Sequence, residues 1–389
     1  MQSRTVLPRA GRAAAATALA ALAGCSVFTP QRPPAPPAPP PPPSPQLAAP
    51  VATQAFPFDP KTTTVVGRLQ VTFSHQEDTF ADIARRFNLG YDELVHANPG
   101  VDPWLPGEGT RIVLPTQFVI PDAPPEGLVV NLASLRLFYF PKATKGSPRE
   151  VITYPIGIGM VGWATPTGTT EIVSKRKDPV WTPPESVRRE HAADGDILPA
   201  RVPAGPANPL GVFAMNLGWP SYLVHGTNKP AGVGMRASHG CIRLYPEDIA
   251  TLYKMVPIGT KVTVVDQPLL ARWQDDALYL QAYPPREEQD AAKNKKPAPG
   301  DRLSKAFADR LSHLAKSHGA TVDLALARQL ANEGRGVAVP VSQPTLSYAS
   351  YVDSARHVEN RIPDGATWDG SDSPVPIANP QPVASAGHR

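Results

Sequence analysis

Ser238-His239-Gly240-Cys241, with His225 sixteen residues before the cysteine, are the residues of this chain best suited to covalent chemistry. A cysteine attacks as its thiolate, and a neighbouring imidazole is the usual means of generating one near neutral pH. Two histidines are available to the one sulfur. Gly240 lets the backbone turn sharply, which would aim the amides of Gly240 and Cys241 at a developing oxyanion. Arg236 and Arg243 bracket the loop, where a guanidinium suits bidentate binding of a carboxylate; for Arg243, tying the loop to its domain is an equal reading. His225, His239 and Cys241 with a water would make up a zinc set, but neither Cys-x-x-Cys nor His-Glu-x-x-His spacing accompanies them, so no metal is expected. No nucleotide or phosphate motif is present, and no cofactor is expected.

The chain has 389 residues and two cysteines, Cys25 and Cys241. Residues 1–24 read as a signal peptide: Arg4, Arg9 and Arg12 precede the apolar run Ala13 to Leu22, which is shorter than the ~20 residues that span a bilayer. Leu22-Ala23-Gly24-Cys25 resembles the bacterial lipobox. That resemblance implies cleavage before Cys25 and lipid on its thiol and new amino terminus, leaving Cys241 as the one free thiol of an exported protein. Ser26 is not the aspartate that retains lipoproteins at the inner membrane, so a periplasmic protein anchored at the outer membrane is expected. Twelve of the twenty-one residues from Pro30 to Pro50 are proline, and residues 25–64 read as an extended, semi-rigid spacer. A net charge of +4 from scattered residues is too weak to argue for nucleic acid, though it suits acidic cell-wall polymers.

Two folded regions carry the periodic sequence. Between residues 65 and 117, Leu69, Val71 and Phe73 alternate as a strand, and Phe80, Ile83, Ala84 and Phe87 fall at helical spacing. Tyr91, Leu94 and Val95 continue on a second helix, and Arg111 to Leu114 close a βααβ unit. Glu77-Asp78-Thr79-Phe80, Phe87-Asn88, Asn98-Pro99, Asp102-Pro103 and Ile112-Val113-Leu114-Pro115 in this unit resemble a LysM module, with Glu77 where that family usually has glycine. The resemblance implies binding to the N-acetylglucosamine-containing glycan of peptidoglycan.

Residues 126–266 hold strand-like runs at Leu128 to Leu132 and Leu135 to Phe140, around a turn at Ala133-Ser134, and again at Val151 to Ile158 and Val262 to Val265. Glycine and proline are frequent between them, as in a β-sandwich or barrel. The clearest helix is Pro246 to Met255, with Pro246 at its start and Glu247 and Asp248 in its first turn. Together with Thr165-Pro166-Thr167-Gly168, Asn208-Pro209-Leu210-Gly211 and His225-Gly226-Thr227, the Ser238-His239-Gly240-Cys241-Ile242-Arg243-Leu244 run strongly resembles the YkuD-type L,D-transpeptidases, in the branch named after ErfK and YbiS. The resemblance implies two-step acyl transfer. Cys241 attacks the carbonyl of diaminopimelate in a peptidoglycan tetrapeptide stem, D-alanine leaves, and an amine resolves the thioester. A second diaminopimelate as that amine gives a 3-3 cross-link; a lysine ending a lipoprotein gives a wall anchor. His225 is then the base, His239 supports the thiolate and shapes the loop, and Ser238 and Gly240 count among the catalytic residues. Arg243, Arg236 and Gly226 are the expected substrate-binding residues.

Residues 267–342 read as an accessory region docked on the catalytic domain, with a last strand at Leu278-Tyr279-Leu280 and helices carrying Leu303, Phe307, Leu311 and Leu314, then Val322 to Leu330. Residues 343–389 read as a disordered tail. The fold expected is therefore multidomain and mainly β: a sandwich- or barrel-like catalytic domain, a small βααβ domain and a short helical C-terminal region. Three functions remain open on sequence: a cysteine-dependent transpeptidase, a carboxypeptidase or amidase using the same acyl-enzyme, and a wall-binding lipoprotein with an inert enzyme fold.

Overall fold

The computed structural model describes residues 55–143, 146, 148–285, 301–366 and 368; the signal peptide, Cys25 and the proline run lie outside them. Strand β1 (Ala55–Pro57) falls where the spacer was expected to continue to residue 64. It pairs antiparallel with a strand of the catalytic sheet at Glu150 to Ile152. Phe56 and Phe58, just after the proline-rich stretch, are buried against Phe118 and Phe140, and this apolar pair holds the segment in the fold.

Next come β2 (Val65–Gly67), β3 (Gln70–Phe73), α1 (Phe80–Arg86), α2 (Tyr91–Ala97), β4 (Arg111–Leu114) and β5 (Gln117–Val119). Strands β3 and β4 pair antiparallel beneath the two helices. Thr79 caps α1 by a reciprocal exchange: its side chain accepts from the Asp82 amide, and the Asp82 carboxylate accepts from the Thr79 amide. In α2 the Glu93 carboxylate accepts from the Gly90 amide at 2.6 Å.

The catalytic region adds β6 (Gly127–Asn131), β7 (Arg136–Phe140), β8 (Glu150–Pro155), β9 (Ile158–Gly159), β10 (Gly168–Lys177), α3 (Glu185–Ala193), β11 (Phe213–Leu217), β12 (Leu223–His225), β13 (Arg236–Ser238), β14 (Ile242–Arg243), α4 (Pro246–Met255) and β15 (Lys261–Val265). Nine strands form one mixed sheet in the order β1-β8-β7-β6-β15-β10-β11-β12-β14. One face holds the main core, with Leu128, Val130, Leu137, Tyr139, Val224, Ile242 and Ile249. The alternate residues Val129, Phe138, Phe140 and Val151 pack on the other face against Phe80, Ile83, Phe87 and Leu94 of the βααβ unit. Covered on both faces, β7 is buried along its whole length, which is why its sequence is a nearly unbroken apolar run.

The C-terminal region supplies β16 (Leu269–Gln274), β17 (Ala277–Ala282), α5 (Lys305–Ser317), α6 (Leu324–Glu333), β18 (Ala338–Pro340), α7 (Tyr348–Asp353) and β19 (Arg356–His357). Three expectations change here. The strand at Leu278 to Leu280 is not the last, because β18 pairs with it. The helices share a core with Leu69, Val71 and Ala97 of the βααβ unit, where docking on the catalytic domain was expected. And the segment read as a disordered tail from residue 343 is ordered through α7 and β19. Tyr348, Val352 and Val358 are buried, and β19 pairs parallel with β3.

Candidate active site

Strands β12 and β14 run parallel, with Val224 opposite Ile242 and His225 opposite Arg243. Val224 and Ile242 are fully buried in the core. Because partners in register project to the same side and neighbours alternate, His225 and Arg243 lie on the opposite face of the ladder. Cys241, directly before Ile242, projects to that same face. The sixteen-residue separation in sequence becomes a diagonal step between two neighbouring strands.

Each partner is held. His225 Nδ1 donates to the Gly226 carbonyl at 2.6 Å, leaving Nε2 as the nitrogen with a lone pair. The Gly226 amide donates to the Phe213 carbonyl, and a β-carbon at Gly226 would meet Ile249 at 3.0 Å. Gly226 thus fixes the imidazole through its backbone. The Cys241 thiol lies 3.6 Å from the Ser221 carbonyl. Burial raises the thiol's pKa, while the Leu223 amide and the Arg243 charge pull it back. Burial, with help from Arg243, pushes His225 down to about 3. The resting pair is therefore a thiol beside a neutral imidazole.

The loop before the cysteine is braced from inside. Ser238 Oγ donates to the Cys241 carbonyl at 2.7 Å and accepts from the Gly240 amide at 3.2 Å. The Gly240 amide is thereby committed to the loop, so of the two expected oxyanion donors the Cys241 amide is the one left. Gly240 sits at φ +101, and a β-carbon there would lie 2.9 Å from the Tyr222 ring; both facts demand glycine. Thr165 Oγ1 accepts from the Gly159 amide and donates to the Gly240 carbonyl at 2.9 Å, which accounts for a residue of the Thr165-Pro166-Thr167-Gly168 motif.

The chain matches the family model of the L,D-transpeptidase catalytic domain, YkuD, over residues 125–264. It is 40% identical over 240 residues to the probable L,D-transpeptidase YbiS of Escherichia coli K12, covering 61% of this chain and 77% of that protein. The chain belongs to the L,D-transpeptidase family. Identity is 42% over 228 residues to the probable L,D-transpeptidase YcfS of Escherichia coli K12, covering 57% of this chain and 70% of that one. It is 42% over 218 residues to the probable L,D-transpeptidase ErfK/SrfK of Salmonella typhimurium LT2, covering 55% and 69%.

Within this L,D-transpeptidase the other expected site residues part company. Arg243 Nε is buried without a hydrogen-bond partner among the described residues, and its guanidinium faces Cys241 and His225 electrostatically. Arg236 instead donates toward the Gly159 carbonyl at 3.4 Å and stands by Asp92 of α2, offsetting part of the burial that raises that carboxyl to about 6. His239 is turned toward Glu190 of α3, 3.0 Å from Nε2, with the Trp163 ring edge-on at 4.9 Å. His191 of α3 bonds Asp196 and tilts over the His239 ring at 5.8 Å. The N-terminus of α4 faces the βααβ unit rather than the sulfur: Glu247 accepts from Arg85 at 2.8 and 2.9 Å, and Asp248 from Asn88 at 2.8 and 2.9 Å. Sequence reasoning missed Glu190, Trp163, Tyr222 and Ser221.

Proposed function

We propose that this L,D-transpeptidase acts through a Cys241 thioester on peptidoglycan tetrapeptide stems. The observation that carries the reading is the in-register pair of His225 and Arg243 on one parallel ladder, with Cys241 two residues before Arg243. His225 Nε2 takes the thiol proton as sulfur attacks the diaminopimelate carbonyl and returns it to the departing D-alanine amine. A neutral imidazole suits that exchange, since the proton moves with the attack and need not be stored in a buried ion pair. The Cys241 amide holds the oxyanion. Arg243, whose Nε has no hydrogen-bond partner among the described residues, binds a stem carboxylate.

The βααβ unit we read as the LysM-like, glycan-holding part, with exposed Trp104 against Tyr91, ring centres 6.0 Å apart, as a face for sugar rings. The acceptor is a second diaminopimelate or a lysine ending an outer-membrane lipoprotein. Cys25, lipidated after signal cleavage, would tether the protein to the periplasmic side of the outer membrane, with the proline run giving reach.

The test is mass spectrometry of products after incubating the protein with diaminopimelate-containing tetrapeptide muropeptides, with and without a lysine-ended peptide. Cysteine-dependent loss of D-alanine with 3-3 dimers, or with the peptide joined to tripeptide stems, supports the reading and names the acceptor. Tripeptides alone in both samples would replace it with hydrolysis of the same acyl-enzyme. No turnover would favour a wall-binding protein.

A further inference from the structure

Between β10 and β11 the chain leaves the sheet at Asp178 and returns at Val212. Asn208 closes the base of this excursion, donating to the Pro179 and Pro203 carbonyls at 2.8 and 3.1 Å and accepting from the Leu210 amide. An isolated bridge joins Trp181 to Val202. The excursion carries α3, and α3 brings Glu190 onto the catalytic loop. A carboxylate only accepts, so the contact with Glu190 places the His239 proton on Nε2 and leaves the lone pair of the neutral ring on Nδ1. Nδ1 has no hydrogen-bond partner among the described residues. The ring is further fixed by the edge of Trp163 and by His191.

His225 carries the opposite tautomer, with Nδ1 donating to Gly226 and the lone pair on Nε2. The catalytic loop thus has two anchored imidazoles of different exposure. The His225 residue is 4% exposed; the His239 side chain is 26% exposed beside a 39% exposed Glu190. The two halves of an acyl transfer have matching needs. Acylation moves a proton between groups already enclosed with the sulfur, whereas the second step must take one from an amine arriving from solvent.

We propose that the enzyme uses its histidines in turn, His225 for acylation and His239 for amine transfer, with Glu190 as the positioning residue that fixes the tautomer and aim of His239. This rests on the thioester reading above. In the second step the neutral acceptor amine forms its N–C bond to the thioester carbonyl, and His239 Nδ1 takes one N–H proton. The C–S bond then breaks, and the same proton passes from His239 to the departing Cys241 sulfur, restoring thiol and neutral imidazole. The charged and titratable groups around His239 agree with the role. Burial lowers its pKa, Glu190 raises it again, and His191 and Arg243 lower it, so loss of the Glu190 charge leaves a weaker base.

The experiment is single-turnover kinetics on the full chain, with a tetrapeptide muropeptide as donor and a diaminopimelate tripeptide as acceptor. D-alanine release without acceptor reads acylation, and dimer formation from preformed acyl-enzyme reads transfer. Glu190→Gln is expected to leave the release burst within about twofold and to slow transfer about 100-fold, with the acid limb of the transfer profile moved to lower pH. Glu190→Asp is expected to restore most of the rate. Unchanged transfer in Glu190→Gln, or equal slowing of burst and transfer, overturns the assignment while leaving the thioester reading intact. Absence of any wild-type burst defeats the thioester reading itself, and this assignment with it.

Discussion

Where the βααβ unit meets the catalytic sheet, the Arg136 side chain is wholly buried. Its Nε and Nη2 each lie 2.8 Å from the Glu93 carboxylate, and Phe118 lies beneath at 4.0 Å. Where α3 meets the catalytic loop, a partly exposed histidine touches a more exposed glutamate at one point. The first joint also holds the Arg85–Glu247 pair, the Asn88–Asp248 contact and a Tyr245 hydroxyl donating to the Leu89 carbonyl, all set around an aromatic core. The second lies under solvent screening, where such a contact is worth only ~0–1 kcal/mol. The difference shows that the βααβ unit is built into the catalytic body, so a glycan bound there would be held at a fixed place relative to Cys241. Helix α3 is joined to the loop by the weaker contact.

Breaking the first joint should have the largest effect. Arg136→Ala leaves Glu93 buried without its partner and is expected to cost about 3–5 kcal/mol, with urea unfolding still a single transition followed by tryptophan fluorescence. Two separated transitions in the wild-type protein would break the comparison, because the unit would then be a separately folding domain. A subtler perturbation tests whether the joint positions the site. A β-carbon at Gly234 would fall 2.2 Å from the Gly90 α-carbon and 2.3 Å from the Tyr91 amide nitrogen, so Gly234→Ala must part α2 from the loop leading to Cys241. A displacement of that order is expected to lower turnover about 100-fold, measured as D-alanine release, although no reacting group has changed.

Next in size is a pH effect. Burial raises the Asp248 carboxyl to about 8 from an ordinary 3.8. Between those values the folded protein keeps a proton that the unfolded chain has released, so this group's stabilising contribution is full below pH ~4 and fades as pH rises toward 8. Asp248→Asn should flatten the fall of the urea midpoint across that range. His225, pushed down to about 3, acts in the opposite sense, with stability lost as pH falls below its ordinary 6.5, but it is common to both proteins and cancels in their difference. At the small end, Glu190→Ala should change stability by less than about 0.5 kcal/mol, which a matched unfolding curve would check. A much larger loss would mean that α3 is as firmly joined as α2.

How much of this could be read beforehand follows the same division. Cys241, His225 and α4 were legible because each is a local signal: a dense motif, or a proline followed by two acids at a helix start. The βααβ elements were legible from apolar spacing, and α1 begins at Phe80, the first residue of that spacing. Helix α3 was not, since Val187 is its one buried residue and its remaining residues show no apolar period. Glu190 therefore carried no signal apart from the fold. The joint was hidden because its chief residue, Arg136, opens an apolar strand and reads as the polar member of an alternation. The unbroken run Leu137 to Phe140 was the available hint that both faces of β7 were covered. The ordered segment through β19 was masked by serine and proline around its few apolar residues, Tyr348, Val352 and Val358.

The central claim is that Cys241 carries the acyl group while His225 moves its proton. The most direct measurement is intact-protein mass spectrometry after brief exposure to a tetrapeptide muropeptide without acceptor, followed by peptide mapping. The account predicts an adduct equal to the muropeptide less D-alanine, lost on mild hydroxylamine treatment, mapped to Cys241, and strongly diminished in His225→Asn. D-alanine release from a protein that never carries the adduct, or release undiminished in Cys241→Ala, would contradict it.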